Sequence, residues 1–194
     1  MKAQAIKNIN KIHSLDPTLG ESNGKEIPAE LLYANQCAAW LFKLKPDATE
    51  LEELAARCQH FKRWEIPRSS YPLGKKGYYQ WRIFLYDYQA NEAAKVLSNV
   101  GYSASDVEIV QQMIRKKDIK NNLQTQLIED VACLVFLNHY MQPFAATKKE
   151  YSEEKWIKII TMTWNKMSDK AHDFALKIEY TPEIFQLINK ALSE

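Results

Sequence analysis

Cysteine is scarce in this chain and never paired in sequence: Cys37, Cys58 and Cys133 form an odd, scattered set with no CxxC among them. That excludes a disulfide framework and a zinc knuckle, and the apolar helical surroundings of the three mark them as buried thiols of a reducing compartment. Long apolar runs are missing as well. The longest, VACLVFL at 131–137, falls far short of the ~20 residues that a membrane span requires. The N-terminal MKAQAIKNINKIHSL alternates charge with Ile and Ala where a secretory signal carries a continuous apolar core. A cytoplasmic protein with no membrane partner is expected. Also absent are HExxH, a P-loop and a serine in a nucleophile elbow, which removes support for zincin, P-loop and serine-hydrolase chemistry. Nor is there an excess of charge of one sign: 26 Lys and Arg stand against 24 Asp and Glu, a net +2. Nucleic acid is therefore not an expected partner, although a local basic patch stays open.

What the chain does have is helical periodicity over most of its 194 residues, enough for one substantial core and read as a single domain over 1–194. A first helix is expected over 2–14, followed by the polar, turn-rich DPTLGESNGKEIP. Pro28 suits the start of a helix through about Lys45, apolar most of the way round and hence central. Asp47 and Glu50 have capping-box spacing and open a helix to about Trp64. A long helix over Tyr78 to Val100 is closed by Gly101, and Ser105 with Glu108 caps the next. Residues 122–142 form a second buried helix, and Ser152, Ser168 and Thr181-Pro182 mark further starts. No alternating strand pattern and no repeat is found. The expected fold is all-α, a single irregular helical bundle.

The chemistry concentrates in RWEIPRSSYPLGKKGYYQWR, residues 63–82. Pro67 and Pro72 push Ile66 and Tyr71 into extended conformations, and Gly74 and Gly77 permit turns, so a loop is expected over 65–77. Arg63, Arg68, Lys75 and Arg82 suit an anion-binding wall, with Trp64 and Tyr71 packed against the ligand. Trp81 and Tyr78 serve equally well as core anchors. Lys116, Lys117 and Lys120 read as solvated charges at a helix end. His60 points away from the Leu51, Leu54, Ala55 and Cys58 stripe, either into solvent or toward a second wall. Asp130 leads into the apolar run, either as a favourable charge near a helix start or as a carboxylate drawn inward beside a cation.

The segments ELLYANQCAAWL, AARCQHFKRWEIPRSSYPLGKKGYYQWR, QLIEDVACLVFLNHY and TMTWNKMS resemble the DUF4202 family over nearly the whole chain. Some relatives carry a label as glutamyl-tRNA synthetases, but this chain has no HIGH-like or KMSKS-like motif in a Rossmann context. The resemblance implies an arginine at the Gln36 position and a histidine at Gln89, both replaced here. The helix order is also similar to a degenerate HD-domain arrangement, which would set Tyr33 over its first histidine, Gln59 and His60 over its His-Asp pair and Asp130 over its last aspartate. Too few donors remain for a full transition-metal site, so no metal ligands are assigned, and no cofactor is named. The resulting expectation is a small-molecule enzyme with its pocket between the helices of Tyr33, His60 and Asp130, closed by the 65–77 loop. His60 acts as acid or base, Asp130 as its partner, and the ligand is a small phosphorylated or otherwise anionic metabolite, with HD-like phosphate-ester hydrolysis the nearest chemistry. The alternative is a non-catalytic binding module for a nucleotide or similar ligand, and the oligomeric state is left open.

Overall fold

The computed structural model describes residues 1–193 and is mainly α-helical, in agreement with the expected class. By internal contacts the chain divides into two compact units, Met1–Ile128 and the part from Glu129 onward. The division falls inside one helix, where composition and linker signals give no warning of it.

In the first unit, α1 (Lys2–His13) leads into a two-stranded hairpin, β1 (Leu19–Ser22) and β2 (Lys25–Pro28). The hairpin replaces the expected irregular loop. Its cause is local: Asn23 and Gly24 take φ of 53° and 72°, the two positive values that a type I′ turn requires. Gly20 pairs with Ile27 and Glu21 with Glu26. The chain enters α2 (Ala29–Leu44) directly from β2. Helix α3 (Glu50–Arg57) carries a full capping box, but between Thr49 and Glu52, not Asp47 and Glu50. Glu52 also accepts from Lys45 at 2.8 Å, so this buried acid is paired. After α3 come turns and two short 3-10 segments, Arg63–Glu65 and Arg68–Ser70.

Helix α4 (Gly74–Val100) begins four residues before the expected Tyr78. Gly77 makes that start possible, because a Cβ there would lie 1.9 Å from the Pro72 carbonyl oxygen. Gly101 closes α4 in the left-handed region, where glycine carries no Cβ penalty. Helix α5 (Ala104–Ile114) is capped by Ser103 onto the Asp106 amide, not by Ser105. Helix α4 packs on α5 and α1, and α3 packs on α2 and α5. Ile9, Leu41, Leu44, Leu54, Phe61, Leu97 and Met113 fill the core between them.

Helix α6 (Leu123–Val135) runs across the division. Beyond it in the second unit, a π-helical turn at Phe136–Tyr140 precedes α7 (Met141–Thr147). Pro143 accounts for the widened turn, since it lacks an N–H and its ring would meet the carbonyl four residues back. Helices α8 (Glu153–Trp164) and α9 (Asp169–Ala175) begin at the expected Ser152 and Ser168 caps. Helix α10 (Pro182–Ser193) packs on α8. No helix among the described residues is long and apolar enough to cross a membrane.

Candidate functional site

The hairpin and the first turn of α2 fix the starting point. Asp16, buried, accepts from the Thr18 amide and from the Glu30 amide at 2.9 Å each. A carboxylate facing a helix start satisfies otherwise orphaned donors, and here it anchors Glu30. One turn on, Tyr33 lies on the same face of α2. Its hydroxyl shares a hydrogen bond with the Cys37 thiol, and burial pushes the thiol up to about 12 and the phenol well above its ordinary value.

The chain after α3 supplies the opposite wall. Helix α3 ends at Arg57, and in the turns that follow Phe61 is fully buried in the core while His60 is partly exposed; the left-handed Lys62, φ 57°, then turns the chain into Arg63. The His60 ring stacks on Tyr33 with centroids 3.8 Å apart and planes within 7°. Arg63 Nη1 lies 2.7 Å from His60 Nε2 and 3.4 Å from Nδ1, beside the ring and not along either lone pair, and Glu30 Oε2 lies 3.2 Å from Nδ1. The imidazole is thus held between a guanidinium and a carboxyl. The Glu30 contact is off the line of a hydrogen bond, and among the described residues that buried oxygen has no hydrogen-bond partner.

Positive charge gathers around this ring. Burial holds the His60 pKa well below the ordinary histidine value, and the charges of Arg63, Lys116, Arg82 and His13 press it the same way. The side chain keeps 27% of its surface open. Burial also raises Glu30, to about 7, against the opposing pull of Arg63 and His13. Arg63 rests over the Trp81 ring at 4.8 Å, and Trp81 is fixed by donating its Nε1–H to the Ile66 carbonyl at 2.9 Å. Arg82 donates to the Tyr78 and Tyr86 hydroxyls and lies 5.3 Å from the Tyr86 ring, with Lys116 at 5.9 Å from that ring. Neither Arg63 nor Arg82 forms an ion pair with a carboxylate among the described residues.

The sequence profile described as "Domain of unknown function (DUF4202)" matches residues 3–188. The chain belongs to the DUF4202 family. No curated protein and no solved structure matches it.

In this DUF4202 chain, Tyr33, His60 and Arg63 come together, with the charge of Arg82 felt at the same ring. The other first-unit residues read from sequence make different contacts. Arg68 donates to the carbonyls of Tyr71 and Pro72 at 2.9 and 2.8 Å, which makes it a brace for the loop. Tyr71 packs near Phe84, Trp64 near His13, and exposed Lys75 stands 5.9 Å from the Tyr79 ring. Gln59 donates its amide to the Ala55 carbonyl within its own turn.

Asp130 belongs to the second unit. There, 4% exposed, it accepts from the Ser168 amide at 2.8 Å and the Ser168 hydroxyl at 2.6 Å. Since Ser168 caps α9, this carboxylate ties α6 to the start of α9.

Two residues of the cluster are not among the site residues read from sequence, Glu30 and Lys116. Glu30 was visible as the residue one helical turn before Tyr33. The sequence makes Lys116 a solvated charge at a helix end, but its left-handed φ of 56° marks a chain that has already left the helix. At the two positions where the resemblance implied other residues, Gln89 is buried with Nε2 unpartnered, and Gln36 has an unpartnered buried Oε1, among the described residues. Among those residues no three His, Cys, Asp or Glu side chains gather at metal-holding geometry. A shallow depression of about 240 Å³ on α8, lined by Glu154, Ile157, Lys158, Thr161 and Met162, contains none of these residues.

Proposed function

We propose that the first unit is a small-molecule enzyme whose site binds a phosphorylated or otherwise anionic metabolite beside His60. The supporting observation is that Arg63 lies against the His60 ring and over Trp81 while Arg82 and Lys116 gather on Tyr86 with their charges reaching the same imidazole, and no carboxylate is ion-paired to either arginine among the described residues. Clustered cations in a partly enclosed site repel one another and are relieved by an anion. Guanidinium forks on Trp81 and between tyrosines are suited to phosphate or carboxylate oxygens.

The acid–base chemistry falls to Glu30 and His60. A neutral histidine accepts a proton on one nitrogen while the other faces a carboxyl, the arrangement used to activate a water or hydroxyl. In phosphate-ester hydrolysis, His60 Nε2 takes a proton from water as the oxygen attacks phosphorus. Arg82 and Arg63 stabilise the charge spreading over the phosphoryl oxygens, and the alcohol leaves with a proton from solvent. Glu30, with a pKa of about 7, stabilises the imidazolium that forms.

The test is a panel of phosphate monoesters and phosphorylated metabolites assayed with wild type, His60→Gln and Arg82→Gln. Turnover of at least one compound, reduced on the order of 100-fold or more by His60→Gln with far-UV circular dichroism unchanged, supports the enzyme. Saturable binding without turnover would instead favour the binding module.

A further inference from the structure

The outward side of α4 carries apolar residues that its own chain leaves open. Trp81, Leu85, Ala93 and Leu97 are buried on the inner side, and a helix buried along one side ordinarily turns polar residues outward. Here Ile83 is 62% exposed, Phe84 45% and Tyr79 43%, with Leu73 at the N-cap 95% exposed. From Asp87 onward α5 and the residue after it close the outward side, Arg115 donating to Asp87 and Asn91 and Gln111 to the Ala90 carbonyl. Before Asp87 the same side meets solvent. Single exposed apolar residues are ordinary, whereas a row of them along one helix marks an interaction surface.

The open stripe consists of Lys76, Tyr79, Gln80, Ile83, Phe84 and Asp87, all exposed. Lys76, Gln80, Ile83 and Asp87 follow at intervals of four, three and four, the spacing of a seam between two packed helices. The stripe is about 16 Å long, and its two ends are opposite in charge. Among the described residues Lys76 forms no ion pair. Asp87 gives one carboxylate oxygen to Arg115, and its side chain stays 64% exposed. Such a stripe suits neither an anionic lipid surface nor an acidic peptide, because Asp87 would face like charge. It suits itself. Run antiparallel across a two-fold axis, Lys76 meets Asp87 at both ends, Tyr79 meets Phe84, and Gln80 meets Ile83, since the members of each pair are equidistant from the midpoint of the stripe.

We infer that the outward face of α4 between Lys76 and Asp87 docks a second copy of this chain, in an isologous dimer whose two α4 helices pack antiparallel. In a two-fold contact each complementary pair occurs twice, so the Lys76–Asp87 match counts at both ends while Tyr79, Ile83 and Phe84 are removed from water between them. Six side chains of one helix bury less than the ~800 Å² per partner of a stable interface. The dimer is therefore weak, with a dissociation constant on the order of 10–100 µM.

Sedimentation velocity of the full chain, over about a hundredfold range of concentration centred on that constant, is the test. Wild type is expected to pass from monomer to dimer, and Ile83→Glu to stay monomeric with unchanged circular dichroism. Charge reversal then reads the register. Lys76→Glu and Asp87→Lys each set like charges opposite one another at both ends of the homodimer and should each weaken association about tenfold or more. Mixed in equal amounts, the two variants place Glu against Lys and Asp against Lys, so their mixture should associate about as well as wild type. Wild type that stays monomeric throughout overturns the second copy, and binding of that monomer to phosphatidylserine vesicles, lost in Ile83→Glu, would assign the face to a lipid surface. A dimer untouched by Ile83→Glu overturns the face. Variants that weaken singly and are not restored by mixing overturn the antiparallel two-fold pairing.

Discussion

Glu30→Gln isolates the electrostatic cost of the site. Its carboxyl is raised from an ordinary value of 4.5 to about 7, so the folded protein holds a proton there that the unfolded chain releases. Between those two pH values stability falls as pH rises, and above about 7 the penalty is fully present. A shift of this size corresponds to about 3 kcal/mol, an upper figure because the side chain keeps 14% of its surface open. His60 acts in the opposite sense: its depressed pKa makes stability fall as pH drops through the ordinary histidine value. Comparing variant with wild type at each pH removes most of that second effect. Near pH 5, Glu30 is protonated and close in shape to glutamine, so the two proteins should be similar in stability. By pH 8 the variant should be more stable by about 1–3 kcal/mol. Urea unfolding at pH 5, 6, 7 and 8, followed by tryptophan fluorescence, reads this directly. A stability difference that stays constant across the series would refute the claim that Glu30 is a buried, destabilised acid.

Three further predictions concern the scaffold. Thr49→Ala removes the cap that accepts from Glu52 and should cost about 1 kcal/mol, seen as a lower urea midpoint with unchanged slope. Asp130→Ala leaves the Ser168 amide and hydroxyl without their acceptor and should destabilise by about 2–3 kcal/mol, with loss of amide-exchange protection at the start of α9. Gly77→Ala drives a methyl into the Pro72 carbonyl and should cost about 1–3 kcal/mol. It should also release the loop that Arg68 braces, readable as faster proteolysis within 66–74.

The fold class was legible because helical periodicity and serine caps are local: α1, α2 and α4 lie where the apolar spacing puts them, and Ser152 and Ser168 both cap. Boundaries were missed at Asp47, where Thr49 caps, and at Ser105, where Ser103 caps, since spacing alone does not say which residue leaves helical φ and ψ. The hairpin was hidden by its length. Four-residue strands are too short for alternation to register, although Asn23-Gly24 was the available signal. At the site, Tyr33, His60 and Arg63 were legible as chemistry-bearing residues. The geometry was not, because a regular helix through Trp64 is what the apolar spacing predicts, whereas α3 ends at Arg57 and His60 lies in the turns beyond it. The loop cations looked equivalent in sequence. Arg68 meets carbonyls and Arg63 meets a histidine only because the 3-10 turns aim them differently.

The central claim is that the cations around His60 form an anion site. Calorimetric titration of inorganic sulfate into wild type, Arg82→Gln and the exposed-lysine control Lys7→Ala tests it most directly. Losing one charge-assisted contact of about 1.5–3 kcal/mol predicts saturable binding to wild type and Lys7→Ala, weakened roughly tenfold or more in Arg82→Gln. Equal affinity in all three proteins, or no saturable binding to wild type, would contradict it.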